Sequence, residues 1–243
     1  YEIDGIERSK SMVKFSSKKS GFTSHIGDIK TMNLKREFDA VISLFHVFSY
    51  QTKNSDVHEL LCNARRHLKK GGIFIFDIWY TPAVLSIVPS NRVLRMSNEE
   101  IEVTRVAEPD ILINENIVNV NYQFFVKNKL DNNYKTFKEI HPMRHFSLPE
   151  IKYFAKINGF LIENSEEWIT GNLPSKDTWS ISLVILLVPE STCPASVTAQ
   201  RSVLLTQTTA TPSQEGTSSY RLLVWAHKCY WWQGVLLSRQ VAS

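Results

Sequence analysis

Apolar residues run almost unbroken through Phe38–Leu44 (FDAVISL) and again through Ile73–Ile78 (IFIFDI). Runs of that length predict strands covered on both faces, as in a parallel sheet. Between them Val57, Leu60, Leu61, Ala64 and Leu68 recur at helical spacing. Arg65, Arg66, Lys69 and Lys70 suit the C-terminal end of that helix, where the backbone dipole favours cations. Gly71-Gly72 is read as its stop. Upstream, Tyr1–Ile6 predicts a short strand and Ser9 the N-cap of a helix reaching about Lys19. Ser24–Ile29 predicts another strand, ending in Gly27-Asp28-Ile29. Strand, helix and strand alternating at short spacing predict a parallel α/β sheet.

The middle of the chain changes period. Glu102–Val106, then Val118, Val120, Tyr122, Phe124 and Val126, then Tyr134–Ile140 alternate apolar with polar, the pattern of half-exposed antiparallel strands. Asp131-Asn132-Asn133 supplies a hairpin turn between the last two. Ser147-Leu148-Pro149-Glu150 reads as a capping box with Pro in the first helical turn. That helix runs to Asn158, with Gly159 as its C-cap. Phe160–Glu163 and Ser180–Val188 complete the pattern as strands, and Ile181–Val188 is too short to span a bilayer.

Composition narrows the function classes. Hydrophobic residues make up 43% of the 243, with nine Gly and nine Pro, which supports a packed core and argues against a disordered or collagen-like chain. The formal charge of +4, from 28 Lys+Arg against 24 Asp+Glu, is too small an excess to imply nucleic-acid binding. Cys62, Cys193 and Cys229 are far apart, without a CxxC. That spacing argues against a zinc site or a disulfide framework and sets a reducing cytoplasm as the default location. Past Pro189 the composition shifts: residues 190–219 are rich in Ser and Thr, and Tyr220–Ala226 (YRLLVWA) is apolar again. The chain therefore divides into a domain over 1–188 and a linker-like tail over 189–243.

The blocks GIERSKSM, GDI, FDAVISLFHVFSY, LKKGGIFIFDIWY and HPMRHFSLPEI…NGF, in that order, resemble the class I S-adenosylmethionine (SAM)-dependent methyltransferases, and most of all small enzymes that methylate sugars, amino sugars or other small metabolites. The resemblance covers roughly residues 1–188. It implies a Rossmann-like, mostly parallel sheet with an antiparallel last strand, an antiparallel insertion at about 100–141 serving as lid or substrate platform, and SAM as cofactor. It implies that Glu7 accepts hydrogen bonds from the cofactor's ribose hydroxyls. Asp28 would accept from the adenine amino group, with Ile29 beside the ring, and Leu44, Phe45 and His46 would surround the methionine part. Phe45 or His46 could line the methyl-transfer position, though a hydrogen-bonded core-edge histidine is the alternative for His46. Asp77 and Trp79 leave their strand on the substrate side, and Asp39, at the opposite end of its own strand, reads as structural.

His141 and Arg144 are the sharpest substrate-site candidates. Methyl transfer is an in-line displacement that needs alignment and the removal of one proton from the acceptor. A neutral histidine suits that task near pH 7, and the arginine fork suits an anionic or hydroxyl-rich substrate. The alternative is that HPMRHF is a structural strand-to-helix corner. The aromatic face of Tyr122, Phe124 and Phe137 could cover a ligand, pack on the sheet or form a homodimer contact. Expected partners are a small-molecule methyl acceptor, with neither nucleic acid nor membrane, and no metal is expected.

One element the family pattern calls for, a strand ending in a Gly-rich loop at the centre of the sheet, has no counterpart; no GxGxG occurs in the sequence. The expectation is a methyltransferase domain lacking its first strand and loop. The strands at Tyr1 and Phe38 would then be left without their shared neighbour and the activity reduced or lost. YRLLVWA as a stand-in for that strand has only its apolarity behind it. The competing readings are a non-catalytic Rossmann-like binding or assembly module and a nicotinamide-dependent oxidoreductase.

Overall fold

The computed structural model describes residues 1–17, 20–188 and 220–225. Five strands run parallel side by side. In spatial order they are β2 (Phe22–Ile26), β1 (Glu2–Glu7), β11 (Arg221–Trp225), β3 (Phe38–Ser43) and β4 (Leu68–Tyr80). Register aligns their ends, with Ile6 opposite Trp225, Trp225 opposite Ser43, and Ser43 opposite Phe76. The carboxyl ends therefore share one edge. Beyond β4, β10 (Ser180–Leu187) and then β9 (Phe160–Glu167) add antiparallel strands.

The gap between β1 and β3 is thus filled, contrary to the expectation of two unpaired strand edges. Residues from the far end of the chain supply the strand that the first segment lacks, pairing parallel with β1 on one side and β3 on the other. The physical reason lies in the slot. It offers backbone donors and acceptors on both sides and a buried apolar face, and RLLVW satisfies both demands. Leu223 and Trp225 are fully buried. Trp225 meets Phe74 edge to face at 5.3 Å. The remainder of the 189–243 tail lies outside the described residues.

The second layer departs from the sequence reading in details. Helix α1 (Lys10–Ser16) has Ser9 at its N-cap position without a capping bond from the side chain. Helix α2 (Asn54–His67) ends at His67, so Gly71-Gly72 does not stop it. Those glycines fall inside β4, where the pairing with β3 jumps from Phe38↔Leu68 to Ala40↔Ile73. Gly71 takes φ +75°, a conformation a side chain would oppose. Short helix α3 (Thr81–Ile87) and strand β5 (Arg92–Ser97) have no counterpart in the sequence reading. Helix α4 (Leu148–Ile157) is capped by Ser147, whose Oγ accepts from the Glu150 N–H.

The insertion is a meander of β5, β6 (Ile101–Leu112), β7 (Ile117–Asn128) and β8 (Tyr134–Phe146). It joins the main sheet where Trp79 and Tyr80 pair with His145 and Phe146. Because β10 takes one edge of β4 as far as Trp79, β8 uses the edge that β3 vacates after Ser43. The meander therefore stands over the carboxyl end of β3. Its inner face, through Ala107, Val118, Val120, Tyr122 and Met143, forms a second core with Val84 of α3, against which Tyr50, Trp79 and Trp179 pack. The main core lies between the parallel sheet and helices α2 and α4.

Candidate active site

The sequence-predicted residues fall into two groups along the carboxyl edge. Glu7 closes β1 and Asp28 follows β2. These strands are adjacent, and the Gly27 N–H donates to the Glu7 carbonyl at 3.1 Å. The Glu7 side chain is largely buried, with Oε1 accepting from the Ser9 N–H at 2.7 Å. Asp28 folds back into a turn, Oδ1 accepting from the Lys30 N–H at 2.9 Å while Oδ2 lies 3.9 Å from Arg8 Nε. Ile29 is buried in the main core, and its carbonyl accepts from Asn63 Nδ2 at 2.7 Å.

At the end of β3 the backbone is strained. Half-buried Leu44 leads into Phe45 and His46, which have φ +67° and +63°, both in the left-handed region that side chains disfavour. Asp77, buried on the adjoining strand, holds this turn. Its two carboxylate oxygens accept from the His46 N–H at 3.0 and 3.1 Å, and His46 Nδ1 lies 2.6 Å from Oδ2, off the ring N–H axis. The following 3-10 turn, Phe48–Tyr50, is tied to the same strand because the Trp79 N–H donates to Ser49 Oγ at 3.1 Å. Trp79 meets His46 at 6.1 Å and Trp179 at 5.5 Å, both edge to face. His46, Asp77 and Trp79 thus form one assembly, with Asp77 setting the backbone of the turn.

His141 joins a different set. Its Nδ1 lies 2.6 Å from Tyr50 Oη, its Nε2 3.1 Å from Glu139 Oε2, and Tyr122 abuts the ring edge to face at 5.0 Å. Sequence reasoning singled out neither Tyr50 nor Glu139. Glu139 carried a usable signal, since residues two apart in a strand share a face. Tyr50 had none, being ninety-one positions from its partner.

Arg144 is committed to protein groups. Nη1 donates to the Thr52 carbonyl at 3.2 Å and Nη2 to Asn54 Oδ1 at 2.8 Å and Glu150 Oε1 at 2.5 Å, while the guanidinium stacks over Phe146 at 4.9 Å. Glu150 consequently serves this ion pair, and its side chain makes no capping-box return bond. His145 points the other way, fully buried, with Nδ1 2.9 Å from Thr81 Oγ1. Burial holds its pKa below the ordinary histidine value, with the Arg144 charge adding to the effect. Tyr122 belongs to the second core, while Phe124 and Phe137 stack at 4.7 Å with Phe137 partly exposed. Asp39 is structural, accepting from Lys69 Nζ and the Arg221 N–H, each at 2.7 Å. Among the described residues no helix is long and apolar enough to cross a membrane.

Residues 1–76 match the family model described as "Methyltransferase domain". The chain is 29% identical over 79 residues to the dTDP-3-amino-3,4,6-trideoxy-alpha-D-glucopyranose N,N-dimethyltransferase of Streptomyces venezuelae. That match covers 32% of this chain and 33% of the relative, so the chain spans about a third of that protein's length. It is 24% identical over 180 residues to the putative methyltransferase YqeM of Bacillus subtilis (strain 168), covering 72% of this chain and 71% of the relative. In fold it is similar to an S-adenosylmethionine-dependent methyltransferase of Clostridium acetobutylicum ATCC 824, with a TM-score of 0.63 at 21% identity over 78% of this chain and 85% of that one. The chain therefore carries the class I fold of the SAM-dependent methyltransferases, and its residues 1–76 match their methyltransferase domain.

Proposed function

We propose that this chain binds SAM along the carboxyl edge of its parallel sheet and directs methyl transfer to a nitrogen or oxygen of a small metabolite of the amino-sugar class. The observation that carries this reading is the convergence of Glu7, Asp28 and the strained Phe45–His46 turn on one edge. Open α/β sheets bind ligands there, and backbone strain held by a buried carboxylate is the mark of a preorganised site. The acceptor class rests on the Streptomyces venezuelae relative, whose name is that of an amino-sugar N,N-dimethyltransferase.

The side chains fit the cofactor. Glu7 stands at the carboxyl end of β1 with Oε1 on the Ser9 N–H, and a carboxylate is the acceptor chemistry that a pair of neighbouring hydroxyls requires. Asp28 closes its turn through Oδ1, and its Oδ2 lies 3.9 Å from Arg8 Nε at the same edge. Bound, the cofactor supplies an electrophilic methyl on a cationic sulfur. The chain's own work is to orient the acceptor with Trp79 and the inner face of the meander, to exclude water, and to take the acceptor's proton through His141. Alignment is the larger contribution, since displacement at a methyl sulfonium needs no protonated leaving group.

Calorimetric titration with SAM, S-adenosylhomocysteine and NAD tests the reading. Both sulfur compounds bind, NAD does not, and Glu7→Gln weakens SAM by about 10-fold or more, the loss of a charged hydrogen bond. Binding of NAD without SAM favours the oxidoreductase alternative, and binding of neither favours a non-catalytic module.

A further inference from the structure

The loop that follows Asp28 is clamped along one side of helix α2. Asn63, buried on that helix, donates from Nδ2 to the Ile29 carbonyl at 2.7 Å and to the Met32 carbonyl at 3.0 Å. Carbonyl oxygens only accept, so the amide nitrogen faces them, and Oδ1 is left to accept from Arg66 Nη1 at 3.2 Å. One turn further on, His67 holds the end of the loop. The Leu34 N–H donates to its Nε2 at 3.0 Å, and its Nδ1 lies 2.8 Å from the Asn63 carbonyl. Near the start of α2, Lys30 Nζ reaches Asp56 Oδ1 at 2.7 Å. The loop is thus anchored at Ile29, Lys30, Met32 and Leu34.

The same partners fix the charge of His67. A carbonyl only accepts and a backbone N–H only donates, so Nδ1 carries the ring proton and Nε2 carries none. A second proton would set an Nε2–H against the Leu34 N–H, two donors facing each other in a fully buried site. Burial holds the His67 pKa below its ordinary value of 6.5; the Asn63 carbonyl opposes this in part, and the Arg66 charge adds to it. Phe38 faces the imidazole from β3 at 6.2 Å, and Leu34 faces it from the loop. The other charged groups nearby are engaged elsewhere or exposed: Arg36 turns to Glu2 and Asp4, Lys69 to Asp39, and Lys35 is exposed.

This loop continues the segment that carries Asp28 and Ile29. The Asp28 carbonyl accepts from the Thr31 and Met32 N–H groups at 3.1 and 2.9 Å, and Met32 lies so close over Gly27 that a Cβ there would overlap its sulfur. What α2 grips therefore sets where Asp28 and Ile29 stand. We propose that Asn63 and His67 are positioning residues for the adenine end of the cofactor site, and that a proton taken up by His67 frees the loop and weakens cofactor binding; this rests on the SAM reading above. Bound cofactor in turn holds the proton off His67, because the coupling is reciprocal.

The experiment uses the full chain and S-adenosylhomocysteine, whose sulfur is uncharged, titrated by calorimetry from about pH 8 to about pH 5, across the histidine range. Wild-type affinity falls by about 10-fold or more over that span, the scale of a buried donor left unmet. Adenosine, which lacks the amino-acid end, shows the same acid loss. His67→Gln keeps an oxygen for the Leu34 N–H and cannot titrate, so its affinity changes by less than about threefold across the same span. Asn63→Leu, folded by circular dichroism, weakens both ligands by about 10-fold or more; the pH series decides the matter even where that variant does not fold. Nitrogen-15 spectra show His67 protonated on Nδ1 alone at neutral pH, with a lower titration point when S-adenosylhomocysteine is bound. A wild-type affinity that does not change with pH, an acid loss retained in His67→Gln, or a ring protonated on Nε2 overturns the assignment while leaving the SAM reading intact. Wild-type protein that binds neither SAM nor S-adenosylhomocysteine at any pH removes both.

Discussion

The backbone N–H of Arg221 donates to Asp39 Oδ2 at 2.7 Å, joining residues 182 positions apart in sequence. Asp39 also holds Lys69 at 2.7 Å. One carboxylate at the start of β3 therefore ties the first residue of β11 to the beginning of β4. The Arg221 amide, followed by Lys69, holds the Asp39 pKa below its ordinary value of 3.8. The unfolded chain then binds the proton first, so the stability Asp39 contributes is complete above that ordinary value and is lost as pH falls through the depressed one. Urea midpoints measured from about pH 6 down to about pH 2 are expected to fall less steeply in Asp39→Asn than in wild type. Identical slopes would show that the bond to β11 is absent in solution.

Trp225→Ala is expected to cost about 3–5 kcal/mol, the range for deleting a large buried aromatic, because the side chain is fully buried against Phe74. Trp225→Phe should cost less. The indole N–H has no partner among the described residues, so its removal relieves an unmet donor. Equilibrium urea unfolding checks both. A loss under about 1 kcal/mol for the alanine variant would mean that β11 is not seated in the sheet.

Asp77→Ala removes the acceptor that holds the His46 N–H. Two consecutive left-handed residues cost of order 1–3 kcal/mol each unless their surroundings impose them, so the turn relaxes. The expected result is SAM affinity reduced by about 10-fold or more and faster amide exchange confined to residues 44–50. Unchanged exchange there would show that Asp77 does not govern the turn.

Arg144→Ala is expected to destabilise the fold by about 3–5 kcal/mol, because it strands the Glu150 carboxylate in a half-buried corner. Arg144→Lys recovers only part of this, as an ammonium cannot reproduce the fork. Parallel measurements of unfolding and of KM for the acceptor separate this from a substrate-holding role. A raised KM at unchanged stability would assign the arginine to substrate.

What the sequence revealed depended on whether a residue's job was local. The continuous runs in β3 and β4 and the period of α2 and α4 are local signals, and those elements were legible, although β4 starts at Leu68 rather than Ile73 and takes in the two glycines read as a helix stop. That Glu7, Asp28, His46 and Asp77 stand along the carboxyl edge was legible, because a strand's carboxyl end is a position in the chain as well as in space. The location of β11 was hidden. RLLVW carries apolarity, but the two strands it separates are specified by a slot built from residues 2–7 and 38–43. The contact between Tyr50 and His141 was hidden for the same reason, since the histidine lies ninety-one positions away at the end of an insertion. Arg144 was half legible: the residue type marked a polar focus, but its partners Thr52 and Asn54 lie on another loop.

Placing Arg221–Trp225 between β1 and β3 also orders events during synthesis. A ribosome releases β1, β2, β3 and β4 long before the strand that separates them, so the two halves of the parallel sheet wait with their inner edges open. Bare strand edges invite pairing with other chains, and contacts of long sequence separation form slowly. The central strand is therefore the last of the described strands to arrive, and the sheet they form closes only once residue 225 has cleared the exit tunnel. A stop before residue 220 would leave two half-sheets facing an empty slot, a species for chaperones and proteases rather than a smaller folded domain.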